Sequence, residues 1–440
     1  MKNPCSLAGA ALLALPLLCA SASAAAPRPA PVPVEDAVRA VSPAVIELRH
    51  RIHQNPELSN REFETAALVA GHLKALGLEV RTGIAHTGVV GWLKGGLPGP
   101  LVAVRADMDA LPVTEDTPFP FKSTVRTTFN GQEVGVAHAC GHDIHTAVLL
   151  GVASILAPRR DQLRGTVMFI FQPAEEGPPE GEKGGAKLML EEGLFDKARP
   201  DAVFGLHAAA ALPVGQLAYS PGPTTASSDS FEITLLGTSS HAAWPHLGVD
   251  PILMAAQAVL GLQTIRSRNL PPHEPSVLTV AQIHGGVRDN IIPAEVKLRG
   301  TVRLFDPKVQ DEVERRMREI LEGVAKGAGG SFRLEYTRKV PVLVSDPALV
   351  SRMLPTLERA VGAENVIKFP PSLAYDDFAY FAQQTPAFFF HLGTLRPGTT
   401  SGGHHTPTFQ ADDSSIPVGL RVLTGVLLDY LEGSGGGRPR

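Results

Sequence analysis

Residues 138–147 read His-Ala-Cys-Gly-His-Asp-Ile-His-Thr-Ala, so this short segment gathers three imidazoles, a thiol and a carboxylate. Within it, Cys140 and His142 are separated by a single glycine. Thiolates and imidazoles are the side chains that bind zinc and related metals, and so many of them seldom meet in one loop by chance. We therefore predict that Cys140 and His142 are metal ligands, with a buried and unreactive thiol as the alternative.

A helix is predicted directly after this pair, over residues 144–156, and Asp143 is its expected N-cap. The N-terminus of that helix should lower the pKa of the Cys140 thiol, which favours the metal-binding thiolate. His138 and His145 flank the pair. Each of these two imidazoles either contacts a metal or orients a ligand or the backbone.

Two pairs of acidic residues are candidates for the same chemistry. Glu175 and Glu176 are adjacent, so one carboxylate can hold a metal while its neighbour accepts a proton from an attacking water. Asp107 and Asp109 form the second pair, for which a turn or a helix cap is the alternative role. Together with the thiol and the imidazoles, these carboxylates predict metal-assisted hydrolysis.

The predicted strands indicate how these residues meet. Four nearly continuous apolar runs are typical of strands covered on both faces, as in a mostly parallel α/β sheet. These runs span residues 101–104, 166–171, 202–206 and 387–390, after predicted helices at 35–53 and 62–76. Asp107 and Asp109 follow the first run, Glu175 and Glu176 the second, and His207 the third. Because ligands of open α/β sheets bind at the carboxyl ends of the strands, we expect these side chains to lie together.

A different pattern occupies the middle of the chain, where strand and helix signals follow the order βαββαβ of a ferredoxin-like unit. The predicted elements are strand 230–236, helix 251–266, strands 276–284 and 295–304, helix 307–326 and strand 332–336. We interpret residues 227–338 as an inserted domain that separates two parts of a catalytic domain, 27–226 and 339–432. The predicted fold class is therefore α/β, a mostly parallel-sheet domain with an inserted ferredoxin-like domain.

The two ends and the overall charge of the chain support further predictions. Residues 1–26, which include Cys5 and Cys19, have the pattern of a cleavable secretory signal. This predicts a secreted or periplasmic protein whose mature form has Cys140 as its only cysteine. Residues 433–440 are predicted to be a disordered tail. The net charge of −4 shows no basic surplus, and no other apolar run has the length of a transmembrane helix. Neither nucleic acid nor a membrane is therefore an expected partner.

Five segments in order resemble the motifs of the M20 metallopeptidases, in particular their amidohydrolase subfamily of hippurate hydrolases and plant enzymes acting on auxin conjugates. The segments are Arg-Ala-Asp-Met-Asp-Ala-Leu-Pro at 105–112, His-Ala-Cys-Gly-His-Asp-Ile-His-Thr at 138–146, Gln-Pro-Ala-Glu-Glu-Gly at 172–177, Gly-Leu-His at 205–207 and His-Thr-Pro at 405–407. The resemblance extends from about residue 42 to about residue 430.

The resemblance implies a catalytic site for two divalent metal ions, which manganese, zinc, cobalt or nickel can fill. Its implied ligands are Cys140, His142, Glu176, His207 and His405. Glu175 matches the general base of the family, and Asp109 matches its orienting carboxylate. His404, directly before His405, is the alternative final ligand.

The resemblance also implies a reaction, the hydrolysis of the amide bond of an N-acyl or N-aroyl amino acid. The alternative is a dipeptidase or carboxypeptidase that uses the same site. The small-molecule substrate is thus an N-acyl amino acid or a short peptide.

This chain departs from many relatives in one acidic side chain near the cleft, which is shorter. Those relatives carry Ser-Glu-Asp-Phe where this chain has Tyr-Asp-Asp-Phe at 375–378.

In this family the inserted domain pairs with its copy, so the resemblance implies a homodimer. His241 matches a histidine that reaches the partner's active site as an oxyanion donor. Asn290 and Arg303 match segments that line the closed cleft and bind the substrate carboxylate. These three residues are the implied substrate-binding group.

Overall fold

The computed structural model describes Met1 and residues 32–433. Apolar residues at helical spacing form nine α-helices in these described ranges. The helices are α1 (Val34–Gln54), α2 (Phe63–Ala75), α3 (His142–Leu156), α4 (Gly185–Glu191), α5 (Pro251–Thr264), α6 (Pro307–Ala328), α7 (Pro347–Val361), α8 (Ala379–Ala382) and α9 (Ser415–Glu432). Asp250, Asp306 and Asp346 cap α5, α6 and α7, each before a proline whose missing N–H costs nothing at the first helical position.

Eighteen strands alternate with these helices in the described residues. They are β1 (Glu79–Ile84), β2 (Gly88–Lys94), β3 (Leu97–Asp107), β4 (Arg126–Phe129), β5 (Gln132–Gly135), β6 (Arg164–Gln172), β7 (Ala202–Pro213), β8 (Leu217–Tyr219), β9 (Gly222–Thr225), β10 (Ser228–Leu236), β11 (Ser240–His241), β12 (Ser276–Gly285), β13 (Ile291–Ile292), β14 (Glu295–Leu304), β15 (Ser331–Val340), β16 (Leu343–Ser345), β17 (Val366–Lys368) and β18 (Ala387–Leu395).

The largest sheet has eight strands in the order β1-β2-β6-β3-β7-β18-β8-β17. Its central strands β6, β3, β7 and β18 are parallel, and they are the four apolar runs that the sequence predicts. Alternate residues along them face opposite cores: Val102 and Val104 pack with α1, α3 and α9, whereas Ala103 packs with α4 and α8. The prediction of a mostly parallel α/β sheet covered on both faces is therefore confirmed.

The predicted βαββαβ order is also present, over β10, α5, β12, β14, α6 and β15. These four strands form an antiparallel sheet in the order β12-β14-β10-β15. A separate apolar core between this sheet and helices α5 and α6 extends from Phe231 to Ala325. The element order, the strand order and the separate core are those of a ferredoxin-like unit inserted into the larger α/β fold.

The predicted signal peptide, residues 1–26, lies outside the described residues apart from Met1, and most of the predicted tail, 434–440, also lies outside them. Among the helices of the described chain, none combines the length and the apolar character that crossing a membrane requires.

Candidate active site

The side chains predicted to carry chemistry converge at the carboxyl end of the central parallel strands. Asp109 lies just beyond β3, and Glu175 and Glu176 lie just beyond β6. His207 lies inside β7, not after a strand as predicted, because β7 continues to Pro213 in register with β18. The site therefore lies at the expected edge of the sheet, and strand β7 extends past this edge.

Glu175 and Glu176 occupy the two central positions of a tight turn. The N–H of Gly177 donates to the carbonyl of Ala174 at 3.3 Å and closes this turn. Both end residues have left-handed backbones, with φ of 52° at Ala174 and 105° at Gly177. Glycine adopts this conformation without strain, whereas a residue with a Cβ loses about 1–2 kcal/mol. The turn brings one carboxylate oxygen of each glutamate to 3.9 Å from Nε2 of His142.

The loop that carries Cys140 passes close to β7. Helix α3 begins at His142, and Gly141 is its N-cap residue with φ of 92°. A Cβ at position 141 would lie 2.7 Å from the Cβ of Ala208, so both the conformation and the close approach require glycine here.

Asp143 lies in the first turn of α3, so its predicted role as the N-cap is wrong. The carboxylate oxygen Oδ2 of Asp143 instead accepts hydrogen bonds from Nε of Arg49 at 2.7 Å and from Nδ1 of His53 at 2.8 Å. Arg49 also donates to Oδ1 of Asp413 at 3.1 Å. These buried contacts tie α1 to the start of α3 and to the segment before α9, which the sequence pattern of α3 alone does not indicate.

The predicted lowering of the Cys140 pKa is also wrong. Burial of the thiol, together with the charges of Glu176 and Glu175, raises the pKa of Cys140 well above its usual range. The partial charge of a helix N-terminus, about half an elementary charge, is too small to offset two nearby carboxylates. A bound cation would reverse this balance, because it would stabilise the thiolate directly.

All five predicted metal ligands belong to two overlapping groups of ligand atoms. In each group the atoms lie within 4.8 Å of one another, and Cys140 is common to both. The first group contains Cys140, His142 and His207, and the second contains Cys140, Glu176 and His405. Sγ of Cys140 is 3.5 Å from Nε2 of His207, and Nε2 of His405 is 3.1 Å from Oε1 of Glu176. The thiol is thus central to a cluster with space for two cations.

The hydrogen bonds of two histidines leave the nitrogen that faces this cluster as an acceptor. Nδ1 of His142 donates to the carbonyl of Asp109 at 2.8 Å, and Nδ1 of His207 donates to the carbonyl of Ala208 at 2.7 Å. In a neutral imidazole the other nitrogen then carries a lone pair. Nε2 of His142 is buried and has no hydrogen-bond partner among the described residues. Such an atom beside carboxylates and a thiol fits a metal ion.

His145 orients neighbouring groups and has no nitrogen left for a metal. Its Nε2 accepts the N–H of Ala208 at 2.7 Å, and its Nδ1 donates to Oδ1 of Asp107 at 2.6 Å. His138 is fully buried, and burial lowers its pKa to about 4. Within the described residues, His138 belongs to no group of ligand atoms. Of the two open alternatives for these histidines, the geometry favours the orienting role for His145.

His404 and His405 both approach the cluster, but in different ways. Nδ1 of His404 is 3.5 Å from Sγ of Cys140, while its Nε2 accepts the N–H of Ala210 at 3.4 Å. Since Nε2 is the acceptor, the proton of a neutral His404 is on Nδ1 and points at the sulfur. His405 has a left-handed backbone, with φ of 65°, and its ring faces Glu176. This geometry favours His405 over His404 as the ligand.

Glu175 lies among other carboxylates. Burial, together with the charges of Asp376 and Glu176, raises the pKa of Glu175 well above its usual range. Oxygens of Glu175, Asp376 and Asp377 lie within 4.8 Å of one another. The buried guanidinium of Arg105 is 3.2 Å from both aspartates and partly neutralises them. Asp376, the acidic residue that is shorter than its counterpart in many relatives, is therefore next to Glu175.

A cleft of about 590 Å³ opens beside the cluster. Its apolar wall contains Ala209, Ala211, Leu212, Phe369, Pro370 and Phe389. Arg303 of β14 reaches this cleft, and its guanidinium carbon lies 4.8 Å from the ring centre of Tyr375. Nη1 of Arg303 is buried with no hydrogen-bond partner in the part of the chain that is described. The cleft thus combines an apolar wall with one positively charged group.

His241 and Asn290 do not line this cleft. His241 ends β11 and Asn290 directly precedes its partner β13, and the N–H of Ala242 donates to the carbonyl of Asn290 at 3.0 Å. Both side chains are exposed. Of the three predicted substrate-binding residues, the single chain therefore brings only Arg303 to the cluster.

Two residues near the site were not predicted from the sequence. His391 lines the cleft and lies opposite His207 in the register of β18 and β7. It directly follows the apolar run 387–390, which is the same signal that identified His207. Glu62 is fully buried and accepts the N–H of Ala174 at 2.9 Å, and its position at the start of a helix gives no such signal.

Comparison with known proteins agrees with this geometry. Residues 103–429 match the model of peptidase family M20/M25/M40. The chain belongs to this family. It is 38% identical to a thermostable carboxypeptidase of Saccharolobus solfataricus over 82% of this chain and 88% of the relative. It is also 38% identical to the N-acetyl-L-cysteine deacetylase of Bacillus subtilis, over 84% of each chain. The protein is therefore an M20 hydrolase of amide or peptide bonds.

A solved structure of the same family supports the cofactor. The Bacillus subtilis YXEP protein, described as a dinuclear metal binding peptidase of family M20, superposes with a TM-score of 0.75. The two chains are 32% identical, over 90% of this chain and 99% of the other. With the free Nε2 of His142 and the two groups that share Cys140, this agreement identifies the cluster as a site for two divalent metal ions.

The predicted secreted or periplasmic location is corrected. None of the residues described, Met1 and 32–433, forms a signal peptide. The relatives from Saccharolobus solfataricus and Bacillus subtilis align with 82% and 84% of this chain. The first 26 residues therefore do not establish where the M20 hydrolase is located.

Proposed function

We propose that this M20 hydrolase cleaves the amide bond of N-acyl or N-aroyl amino acids, with Glu175 as the general base. In this proposal the metal ligands are Cys140, His142, Glu176, His207 and His405. The observation that carries the proposal is the position of Glu175, which shares a tight turn with Glu176 and lies 3.9 Å from His142. A base adjacent to the ligand residues reaches a water that they help to orient.

In the proposed reaction, Glu175 carries out the proton transfers. Glu175 accepts a proton from the attacking water and returns it to the leaving amine as the amide bond breaks. When bound, the two divalent ions supply Lewis acidity, which polarises the carbonyl and acidifies the water.

Asp109 orients two parts of this machinery. The backbone carbonyl of Asp109 accepts Nδ1–H of His142, which turns Nε2 of that ring towards the cluster. Its carboxylate oxygen Oδ2 accepts the N–H of Glu176 at 3.0 Å. Asp109 thereby fixes both an imidazole ligand and a carboxylate ligand, which agrees with an orienting role.

The cleft supports an acylated amino acid as the substrate. An apolar acyl or aroyl group fits the wall that includes Leu212, Phe369 and Phe389. Arg303 is half-buried, and its Nη1 is buried without a hydrogen-bond partner among the described residues, so an anion in the cleft can pair with it. The carboxylate of the amino acid is such an anion. Manganese, zinc, cobalt and nickel all accept this mixture of sulfur, nitrogen and oxygen ligands.

The proposal is tested by a hydrolysis panel on metal-reconstituted protein, with the metal content measured in the same sample. The panel contains N-acetyl and N-benzoyl amino acids, dipeptides and the matching substrates whose carboxylate is amidated. We expect the free-carboxylate N-acyl amino acids to be hydrolysed fastest. Absence of hydrolysis across the panel with two ions bound would rule out the proposal.

A dipeptidase or carboxypeptidase using the same site is the second candidate. The relative from Saccharolobus solfataricus that is named a carboxypeptidase supports it, at 38% identity. Both reactions need the same base, the same metals and a carboxylate anchor, so they differ in what occupies the apolar wall. Faster cleavage of dipeptides than of N-acyl amino acids would favour this candidate.

We also propose that residues 227–338 form a separate domain, between catalytic segments 27–226 and 339–432, and that this domain pairs two copies of the chain. Among the exposed large apolar side chains of this domain, we use five residues to define its outer side. These are Trp244, Leu247, Leu253, Ile283 and Val287, between 57% and 89% exposed. His241 lies beside Trp244, with ring centres 5.2 Å apart. A contact through this side would bring His241 to a second copy, where its imidazole can donate to the substrate oxygen.

Sedimentation of the purified protein tests the pairing. We expect a dimer, and we expect His241→Ala to lose turnover while the protein stays dimeric. A fully active monomer would rule out the role of His241 across the interface.

A further inference from the structure

The loop before α2 contacts the turn that carries Glu175 and Glu176. Glu62, in this loop, has a fully buried side chain (0% exposed). Its oxygen Oε1 accepts the backbone N–H of Ala174 at 2.9 Å and that of Asn60 at 3.0 Å. Its other oxygen, Oε2, accepts the hydroxyl of Thr87 at 2.5 Å. One buried carboxylate therefore joins the loop before α2 and the turn after β6.

Glu62 is the N-cap residue of α2, but its side chain does not cap that helix in the described structure. The first N–H groups of α2 are instead satisfied by Glu57, whose carboxylate accepts from Glu64 at 3.0 Å and from Thr65 at 2.9 Å. Glu57 and Glu62, both near the start of α2, therefore have different roles. Glu57 stabilises the helix, and the side chain of Glu62 is directed at the turn.

The hydrogen bond to Glu62 comes from Ala174, whose backbone is strained. Ala174 has a left-handed backbone, with φ of 52°, and directly precedes Glu175. For a residue with a Cβ this conformation is strained, and it persists only where surrounding contacts hold it. The hydrogen bond from Ala174 to Glu62 is such a contact.

A second carboxylate holds the other side of the turn. The N–H of Glu176 donates to Oδ2 of Asp109 at 3.0 Å, and the hydroxyl of Ser59 donates to the same oxygen at 2.8 Å. The backbone amides on both sides of Glu175 are therefore held by carboxylates, one from Glu62 and one oriented by Ser59. Both Ser59 and Glu62 belong to the 57–62 loop, so this loop stabilises the turn on both sides of Glu175.

We propose that Glu62 is a positioning residue for hydrolysis, which holds Glu175 in place by fixing the backbone of Ala174. The proposal rests on the role of Glu175 as general base. Small displacements of a catalytic group, of about 1 Å, can lower turnover by about 10²-fold. Loss of the contact should therefore reduce kcat more than it changes KM.

The substitution that best preserves the contact is Glu62→Gln. Burial and the charge of Asp109 raise the pKa of Glu62 to about 8, so the neutral acid is populated at neutral pH. Like the neutral acid, a glutamine side chain keeps one oxygen that can accept the N–H of Ala174. Glu62→Asp keeps the carboxyl group but is one methylene too short, and Glu62→Leu keeps the volume but has no acceptor.

The first test measures kcat, KM and metal content for these variants, on whichever substrate the wild-type enzyme hydrolyses. We expect Glu62→Asp and Glu62→Leu to lower kcat by about 10- to 100-fold with KM within about twofold. Glu62→Gln should keep kcat within a few-fold of wild type. Glu57→Leu is the matched control, because it should lower the melting temperature and leave kcat unchanged. Equal loss of kcat in Glu57→Leu and Glu62→Asp would overturn the proposal.

A compensating substitution makes the test specific to the strained residue. Because glycine adopts a left-handed backbone without strain, Ala174→Gly should restore part of the kcat that Glu62→Asp loses. A merely stabilising role of Glu62 predicts no such recovery, and failure to recover would count against the proposal.

Hydrogen exchange in the metal-free protein provides a readout that does not depend on activity. The amide of Ala174 should exchange faster in Glu62→Asp than in wild type, and Glu57→Leu should not change it. If exchange responds as expected but Glu175→Ala remains active, the contact is real and the assignment of the base is wrong. If exchange does not respond, the positioning role itself is wrong.

Discussion

At the carboxyl end of the eight-stranded sheet, Asp107, Asp109 and His142 are at most 1% exposed. On the outer side of the inserted unit the reverse is found, with Trp244 57% exposed and Val287 89% exposed. Globular proteins usually expose charge and bury large apolar side chains. Both regions of this M20 hydrolase depart from that rule, in opposite directions.

Each departure has a free-energy cost that a binding partner removes. Buried carboxylates repel one another until cations neutralise them, and the Arg105 guanidinium does so for only part of the cluster. Exposed apolar side chains order water until another surface covers them. The comparison predicts that the sheet end needs small charged ligands and the outer side needs a protein surface.

The largest effect should follow from Glu175→Ala. The variant loses the proposed general base, so we expect kcat to fall by about 10³-fold. It keeps the five proposed ligand residues, so metal content should stay at the wild-type level. Glu180→Ala, an exposed carboxylate in the loop that follows, is the matched control and should retain full activity. Retained activity in Glu175→Ala would reassign the base.

Disruption of the apolar outer side should have the next largest effect. Trp244→Glu places a charge on this side, and we expect sedimentation to show monomers. If His241 donates to the substrate across the interface, turnover should fall by about 10²-fold, the usual loss for one oxyanion donor. Val344→Glu changes an exposed apolar residue elsewhere and should leave the dimer intact. A dimer that survives Trp244→Glu would place the interface on another surface.

A smaller effect is expected for Arg303→Met, which removes the charge at the cleft. One charge-assisted hydrogen bond is worth about 1.5–3 kcal/mol, so KM for a free-carboxylate substrate should rise at least about tenfold. The same variant should change little with a carboxamide substrate. Arg299 lies on the same strand and pairs with Glu232 at 2.6 Å on the surface, so Arg299→Met is the matched control. Equal effects on both substrates would show that Arg303 does not bind the carboxylate.

The smallest effect concerns the pH dependence of stability. The pKa of Glu62 is raised from an unfolded value near 4.5 to about 8, so the folded state holds a proton that the unfolded state has lost. The stability of the wild type should therefore decrease as the pH rises through this interval. Glu62→Gln has no such proton, so its free energy of unfolding should rise relative to that of the wild type between pH 5 and about 8. Urea melts of the metal-free proteins measure this difference. A difference independent of pH would contradict the raised pKa.

Most of the fold was predictable because its signals are local. The central strands are apolar runs such as 166–171, and the inserted unit alternates strand and helix periods that short windows reveal. The candidate ligands were also predictable as a set, because strand ends such as that before Glu175 meet at one edge of a parallel sheet.

The remaining features depend on contacts between distant parts of the chain. Asp143 has the sequence position of an N-cap, but Arg49 binds it from 94 residues away. The Cys140 pKa is set by Glu175 and Glu176, not by the adjacent helix. Glu62 lies three residues after Ser59, the spacing of a capping box, and yet it binds the turn at Ala174. Local propensity does not contain this information, because burial and long-range partners decide each case.

The most direct test of the central claim is a metal titration of the stripped enzyme, with bound metal and hydrolysis of an N-acyl amino acid measured in the same samples. The proposed ligand set of Cys140, His142, Glu176, His207 and His405 predicts two ions per chain, with turnover that reaches its maximum only as the second ion binds. Undiminished turnover in the stripped enzyme, or saturation at a single ion, would contradict a two-metal mechanism for this protein.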